Sequence, residues 1–384
     1  MFNRPFKAED GPKLMLIAFV AMIAAQFIVS IILMAAMNFG NNAEEIVSYI
    51  GMLIFQATFL TAYLVYTKKH RIRSTFSPRN KITWWTIPAA ILIGFICMLC
   101  FMGPAYYFDF LLMGIGYESS GMDITTTASL VLVIIATVIA APICEETIYR
   151  SALLSGVVKT SINDVGASIL CGICFALMHM NPEQTVYQFC LGAAAAYIAI
   201  KCRSVIPAMI IHSVSNAIAI ILSFVQTSAV EAIDGFFMEV GHNILVTLLT
   251  CVLLPIIACV LIWLICKYLK KAEQKKYPDK YSDPKVVWID ENTFEPVYEG
   301  ENVPEITEEN RMVQKGFSPF TGAPVIVDRL ELQNTLMEEY KKNDEESQNK
   351  RKKSYKVALA IYFGLTIFMW IVTFAANFIM QAVE

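Results

Sequence analysis

The chain has 384 residues, 56% hydrophobic and 16% charged, with a net charge of −3 and a mean hydropathy of +0.54. Soluble domains average about 45–50% apolar and about 25% charged residues, so a soluble enzyme and a fibrous protein are excluded. With no basic face, so is a nucleic-acid binder. About half of the charges lie between Lys267 and Arg351, which leaves the remainder as apolar runs of about 20 residues, the length that crosses a bilayer.

In chain order those runs predict nine spans: Leu14–Phe39, Ile46–Tyr66, Thr83–Ala105, Thr127–Ile143 and beyond, Val165–Met178, Val186–Ile200, Val205–Phe224, Ile244–Cys266 and Val357–Met380. The fold class expected is an all-α polytopic membrane protein of about nine transmembrane helices. The first run is too long for the core of a signal peptide and reads as a true span. Lys and Arg cluster before the first span, after the second (Lys68 to Lys81), at Arg150 and Lys159, at Lys201 and Arg203, and after the eighth. The loops around 40–45, 107–126, 180–185 and 226–243 contain neither residue. The positive-inside rule then puts the N-terminus and residues 267–356 in the cytoplasm and the C-terminus outside the cell membrane.

The insert of about 90 residues is charged in both signs. Val286–Ile289 and Val325–Val327 read as strands, Leu330–Tyr340 as a helix, Glu299–Glu309 as disordered, and Phe317–Val325 as turn chemistry without a ligand cluster. It is expected to serve as a docking module for a cytoplasmic partner or as a tether for the last span. The ten cysteines all lie in or beside apolar segments. Even the C-x-x-C spacings at Cys97/Cys100 and Cys171/Cys174 read as small packing residues rather than metal or redox sites.

Ionisable residues inside spans each cost roughly 2.5–3.5 kcal/mol on insertion scales, so three places stand out: Glu145-Glu146-Thr147-Ile148-Tyr149-Arg150, Phe175-Ala176-Leu177-Met178-His179, and His212-Ser213-Val214-Ser215-Asn216. The other two histidines, His70 and His242, fall in loops. Glu146 and Arg150 are an i, i+4 pair suited to a salt bridge, and Glu145, rotated by about 100°, points elsewhere. If the turn after the fourth span centres near residue 162, Glu145 and His179 stand at equal depth, about 25 Å from it. His212 and Asn216 share a face of the seventh helix, but His212 lies only about nine residues from Arg203 and reads as shallower. Two explanations fit: a deeper start of the seventh helix, or a fourth–fifth turn that projects from the membrane.

Together these groups form a hydrolytic set. Glu145 with His179 can deprotonate a water, and His212 and Asn216 can donate to a developing oxyanion. The alternative is zinc held by Glu145, His179 and His212. There is no H-E-x-x-H and no G-x-S-x-G, so neither the usual zinc-protease signature nor a serine nucleophile is present.

The motifs E-E-x-x-x-R, F-x-x-x-H and H-x-x-x-N, filled here by Glu145-Glu146-x-x-x-Arg150, Phe175-x-x-x-His179 and His212-x-x-x-Asn216, resemble those of the CPBP family. That family joins CAAX prenyl endopeptidases to bacterial proteins of bacteriocin processing and self-immunity. The resemblance covers about residues 125–225. It implies an intramembrane endopeptidase acting on membrane-associated protein or peptide substrates, with Glu145 and His179 activating water, His212 and Asn216 as the oxyanion site, and Glu146 and Arg150 in support. It implies no required cofactor, or zinc. Short loops favour a bacterial setting and a membrane-tethered peptide as substrate. The chain accordingly divides into N-terminal transmembrane helices (1–124), a catalytic core (125–225), an eighth transmembrane helix (226–266), the insert (267–356) and a last span (357–384). Two other functions are carried: a non-catalytic immunity or regulatory protein of the same family, and a small-solute transporter, for which no convincing internal repeat is found.

Overall fold

The structure, a computed structural model, describes residues 4–36, 41–118, 126–224, 227–281, 286–289, 296–298, 306–317 and 323–381. Long helices dominate: α1 Asp10–Ala36, α2 Asn41–Lys69, α3 Thr86–Gly114, α4 Thr127–Val157, α5 Asp164–Met178, α6 Thr185–Cys202, α7 Ile206–Phe224, the short α8 Ser228–Met238, α9 Ile244–Lys276 and α10 Arg329–Gln381. The protein is an all-α polytopic membrane protein. Its strands form three two-stranded ladders among the described residues: β1 Arg4–Pro5 with β2 Ile72–Arg73, β3 Val286–Ile289 with β4 Pro296–Tyr298, and β5 Met312–Phe317 with β6 Pro324–Asp328.

Among the described residues, eight helices are long and apolar enough to cross a membrane. The fifth expected span is the exception. At 15 residues α5 reaches only about 22 Å, short of the roughly 30 Å hydrocarbon core. Large apolar side chains such as Phe27, Leu99, Ile256 and Trp263 face outward, an arrangement stable in lipid and costly in water. Trp84 and Trp85, both exposed at the start of α3, suit the headgroup level.

Because lipid gives helices no hydrophobic drive to associate, close approach has to supply the attraction. A Cβ on Gly172 of α5 would stand 2.8 Å from the Phe189 carbonyl of α6, and one on Gly103 of α3 would stand 2.5 Å from the Thr250 backbone oxygen of α9. The buried cysteines, among them Cys97, Cys171, Cys174, Cys202 and Cys266, fill the same interfaces, and all ten are free.

The loops rich in Lys and Arg gather at one end of the bundle. Asn80 donates to the Arg203 carbonyl, Lys201 pairs with Asp164, and Tyr281 donates to the Lys201 carbonyl. Glu273 of α9 is fully buried there. It accepts from the Thr83 amide at 2.7 Å, the Thr83 hydroxyl at 2.9 Å and the Thr86 hydroxyl at 2.6 Å, and pairs with Lys280 at 2.6 Å. At the opposite end Tyr106 bonds Asp234, Asn377 bonds the Glu118 carbonyl, and Gln381 bonds the Gly116 carbonyl.

The depth mismatch of His212 resolves through the segment 74–80. Ser74 bonds the Ser151 carbonyl and the Ser155 hydroxyl, and Asn80 bonds the Thr75 and Arg203 carbonyls. Ser151 and Ser155 therefore stand near the level where α7 begins, and the turn after α4 extends past it.

In the insert, the two expected strands are present as β3 and β6. The expected helix differs: instead of ending near Tyr340 it runs unbroken from Arg329 to Gln381, a rod of about 80 Å that includes the last span. The predicted turn falls mostly on 318–322 and the predicted disordered stretch mostly on 299–305, both outside the described residues.

Candidate active site

The site begins with Pro142. Proline has no N–H, so in α-helical pairing the Val138 carbonyl loses its donor, and in the wider five-residue pairing the Thr137 carbonyl does. The chain adopts the wider π form over Ile134–Ala140. Both carbonyls are then taken by α7: Ser213 Oγ donates to Val138 at 2.7 Å and Asn216 Nδ2 to Thr137 at 2.7 Å. This meets the requirement that backbone groups inside a bilayer be paired within the protein. A second π segment covers Thr147–Leu154. Between the two lie six α-helical residues, Ala141–Glu146, that carry both glutamates, a placement common for π segments at functional sites.

Arg150 is completely buried. Its Nε lies 2.9 Å from Glu146 Oε2, its Nη2 donates to the Gly192 carbonyl at 3.0 Å, and its guanidinium stands 4.8 Å from the centre of the Phe175 ring. The other oxygen of Glu146 is 3.0 Å from His212 Nδ1. Glu146 thus joins α4 to α7 while Arg150 joins α4 to α6. Phe175 is a wedge among them, with edge contacts to Tyr149, His179 and His212. This is the physical reason for an aromatic four residues before His179.

Glu145 points away from this pair, into the space between α2, α5 and α7. Its Oε2 is 3.9 Å from His179 Nε2 and 4.0 Å from His212 Nε2, and this buried oxygen has no hydrogen-bond partner. Its Oε1 accepts from Gln56 Nε2 of α2 at 2.6 Å. His179 Nδ1 lies 2.8 Å from the Phe175 carbonyl, an acceptor only. That fixes the proton on Nδ1 and turns the Nε2 lone pair toward Glu145. A water set about 2.8 Å from both Glu145 Oε2 and His179 Nε2 would see them about 90° apart, close to the angle of its two O–H bonds.

The structure therefore brings Glu145, Glu146, Arg150, His179 and His212 into one cluster. Asn216 sits one turn further along α7, with one of its N–H bonds committed to Thr137. Residue Gln56 was not among the sequence candidates. A lone amide in an apolar span was its only signal.

For zinc, tetrahedral coordination at about 2.0–2.1 Å sets donor atoms about 3.4 Å apart. The separations of 3.9 and 4.0 Å are wider, and no group of three His, Cys, Asp or Glu residues among those described has metal-binding spacing. These residues do not fit a zinc centre in this arrangement.

Fold and site together define a multi-pass membrane protein that buries a carboxylate between two imidazoles. Residues 127–218 match the family model described as Rce1-like, type II CAAX prenyl endopeptidase, about a quarter of the chain and inclusive of all three motifs. Over this segment the match agrees with the resemblance to the CPBP family of intramembrane proteases read from those motifs. Comparison with curated proteins and with solved structures returned no match.

Proposed function

We propose that the protein is an intramembrane endopeptidase that hydrolyses peptide bonds of membrane-associated proteins or peptides. The observation that carries this reading is the buried, unpartnered Glu145 Oε2 flanked by two imidazole nitrogens. A water held by Glu145 and His179 gives up a proton as its oxygen attacks the scissile carbonyl, and the same pair returns a proton to the leaving amine. His212 donates from Nε2 to the oxyanion. Because its Nδ1–H is spent on Glu146, this role requires the imidazolium. Asn216 has a second amide N–H for the same oxyanion.

The orientation that goes with this reading places the Lys- and Arg-rich end, with the insert and the N-terminus, in the cytoplasm and the C-terminus outside. The insert is then available to a cytoplasmic partner. The chemistry uses these side chains and water alone.

The test is cleavage of a quenched, membrane-anchored peptide library by the purified protein, beside Glu145→Ala and His179→Ala. Cleavage abolished by both substitutions, with detergent-solution folding intact and chelators without effect, is the expected result. Cleavage that survives Glu145→Ala overturns the assignment. Chelator inactivation with stoichiometric zinc replaces the metal-free mechanism.

A further inference from the structure

Gln56 lies in the middle of α2, far outside the matched segment and outside all three motifs. It is 6% exposed, in a helix whose other inward positions are Tyr49, Gly51 and Phe59. An amide there is costly unless both of its ends are satisfied. Only one is: Nε2 donates to Glu145 Oε1 at 2.6 Å, while the buried Gln56 Oε1 has no partner. A residue kept only to join two helices would do better as a leucine, which leaves no orphaned carbonyl. What the amide achieves is specific to Glu145. The two oxygens of a carboxylate are equivalent and its terminal torsion is soft. A donor on one oxygen removes that equivalence, and here it leaves Oε2 as the oxygen that faces His179 and His212.

We propose that Gln56 is a positioning residue for the hydrolysis assigned above, acting on Glu145 rather than on substrate. The inference rests on that functional reading. Gln56→Met, unbranched and of similar length, removes the donor while filling the space. Gln56→Glu keeps the shape and replaces the amide donor by a second carboxyl. With the substrate identified from the peptide library, both variants are expected to lower kcat about tenfold to a hundredfold, the range set by a small misplacement of a catalytic group. KM stays within about twofold, because substrate does not touch Gln56. Loss of a merely structural contact would lower the unfolding midpoint and leave kcat per folded molecule unchanged.

A second readout needs no substrate. The carboxylate stretching bands of Glu145, assigned by subtracting the infrared spectrum of Glu145→Gln, are expected to move in Gln56→Met. Unmoved bands, or parental kcat in Gln56→Met beside an inactive Glu145→Ala, overturn this inference alone. An active Glu145→Ala overturns the functional reading beneath it.

Discussion

Replacing Arg150 by methionine removes a cation that has no exposure to solvent, and its cost can be built from its partners. Glu146 loses an ion pair at 2.9 Å and the Gly192 carbonyl loses its donor. Breaking a buried pair by removing one member costs about 3–5 kcal/mol, because the remaining charge is stranded. Methionine refills most of the volume between Phe175 and α6, so the cavity contribution is small. Glu146→Gln alone strands the guanidinium and costs a similar amount, although the glutamine carbonyl still accepts from His212. The double variant removes both charges and leaves chiefly the Gly192 carbonyl unpaired, about 1–3 kcal/mol. The two substitutions are therefore expected to be non-additive by at least about 3 kcal/mol, with a central value of about 6 kcal/mol. Equilibrium unfolding by sodium dodecyl sulfate in mixed micelles, followed by circular dichroism, measures all four corners of the cycle. A cost below about 1 kcal/mol for Arg150→Met, or an additive double variant, would refute the picture of a buried pair fastening α4 to α6 and α7.

Two further outcomes follow from the backbone and from the Glu273 latch, the buried carboxylate that holds Thr83, Thr86 and Lys280 together. Ser213→Ala is expected to cost about 1–3 kcal/mol by stranding the Val138 carbonyl. In a Pro142→Ala background, where the segment can return to α-helical pairing and the N–H of residue 142 then reaches Val138, that cost should shrink; equal costs in the two backgrounds, measured by the same unfolding titration, would disprove the role given to Pro142. Glu273→Leu strands the Thr83 amide and leaves Lys280 with the Lys81 carbonyl as its remaining polar partner, and is expected to cost about 3–5 kcal/mol. It should also open the 70–83 segment to limited proteolysis, and an unchanged digestion pattern would count against the latch.

Much of this architecture was readable from spacing. Seven of the eight long spans follow from apolar runs of sufficient length, the 15-residue run Val186–Ile200 being the exception, and the i, i+4 separation of Glu146 and Arg150 corresponds to a 2.9 Å contact. The equal-depth estimate for Glu145 and His179 agrees with a separation of 3.9 Å between their side chains. Other features had signals that a composition reading passes over. Val165–Met178 contains 14 residues, fewer than the ~17 a span needs. Between Arg329 and Phe363 there is neither Gly nor Pro, so the sharp change from charged to apolar at about residue 356 is no reason for the helix to stop. The π segments escape a 3.6-residue period altogether, and only Pro142 points to one of them. Gln56 was least legible, since its partner lies 89 positions away and an isolated amide has no spacing to be matched.

The brevity of α5 bears on the lipid as well as on the protein. Thr185, just beyond the α5–α6 turn, accepts from Trp370 at 2.8 Å, and Trp370 lies eleven residues, about 16 Å of helix, before Gln381 at the end of α10. The polar turn Asn181–Gln184 therefore stops about 16 Å of helix short of the level that α10 reaches at Gln381. In a bilayer whose face lies level with Gln381, acyl chains beside that turn would have to shorten or splay to avoid it, a dent in the bilayer. The hydrolysis proposed above would consume one water per bond cut, and a dent of that kind, with its floor next to His179, would deliver that water from the side.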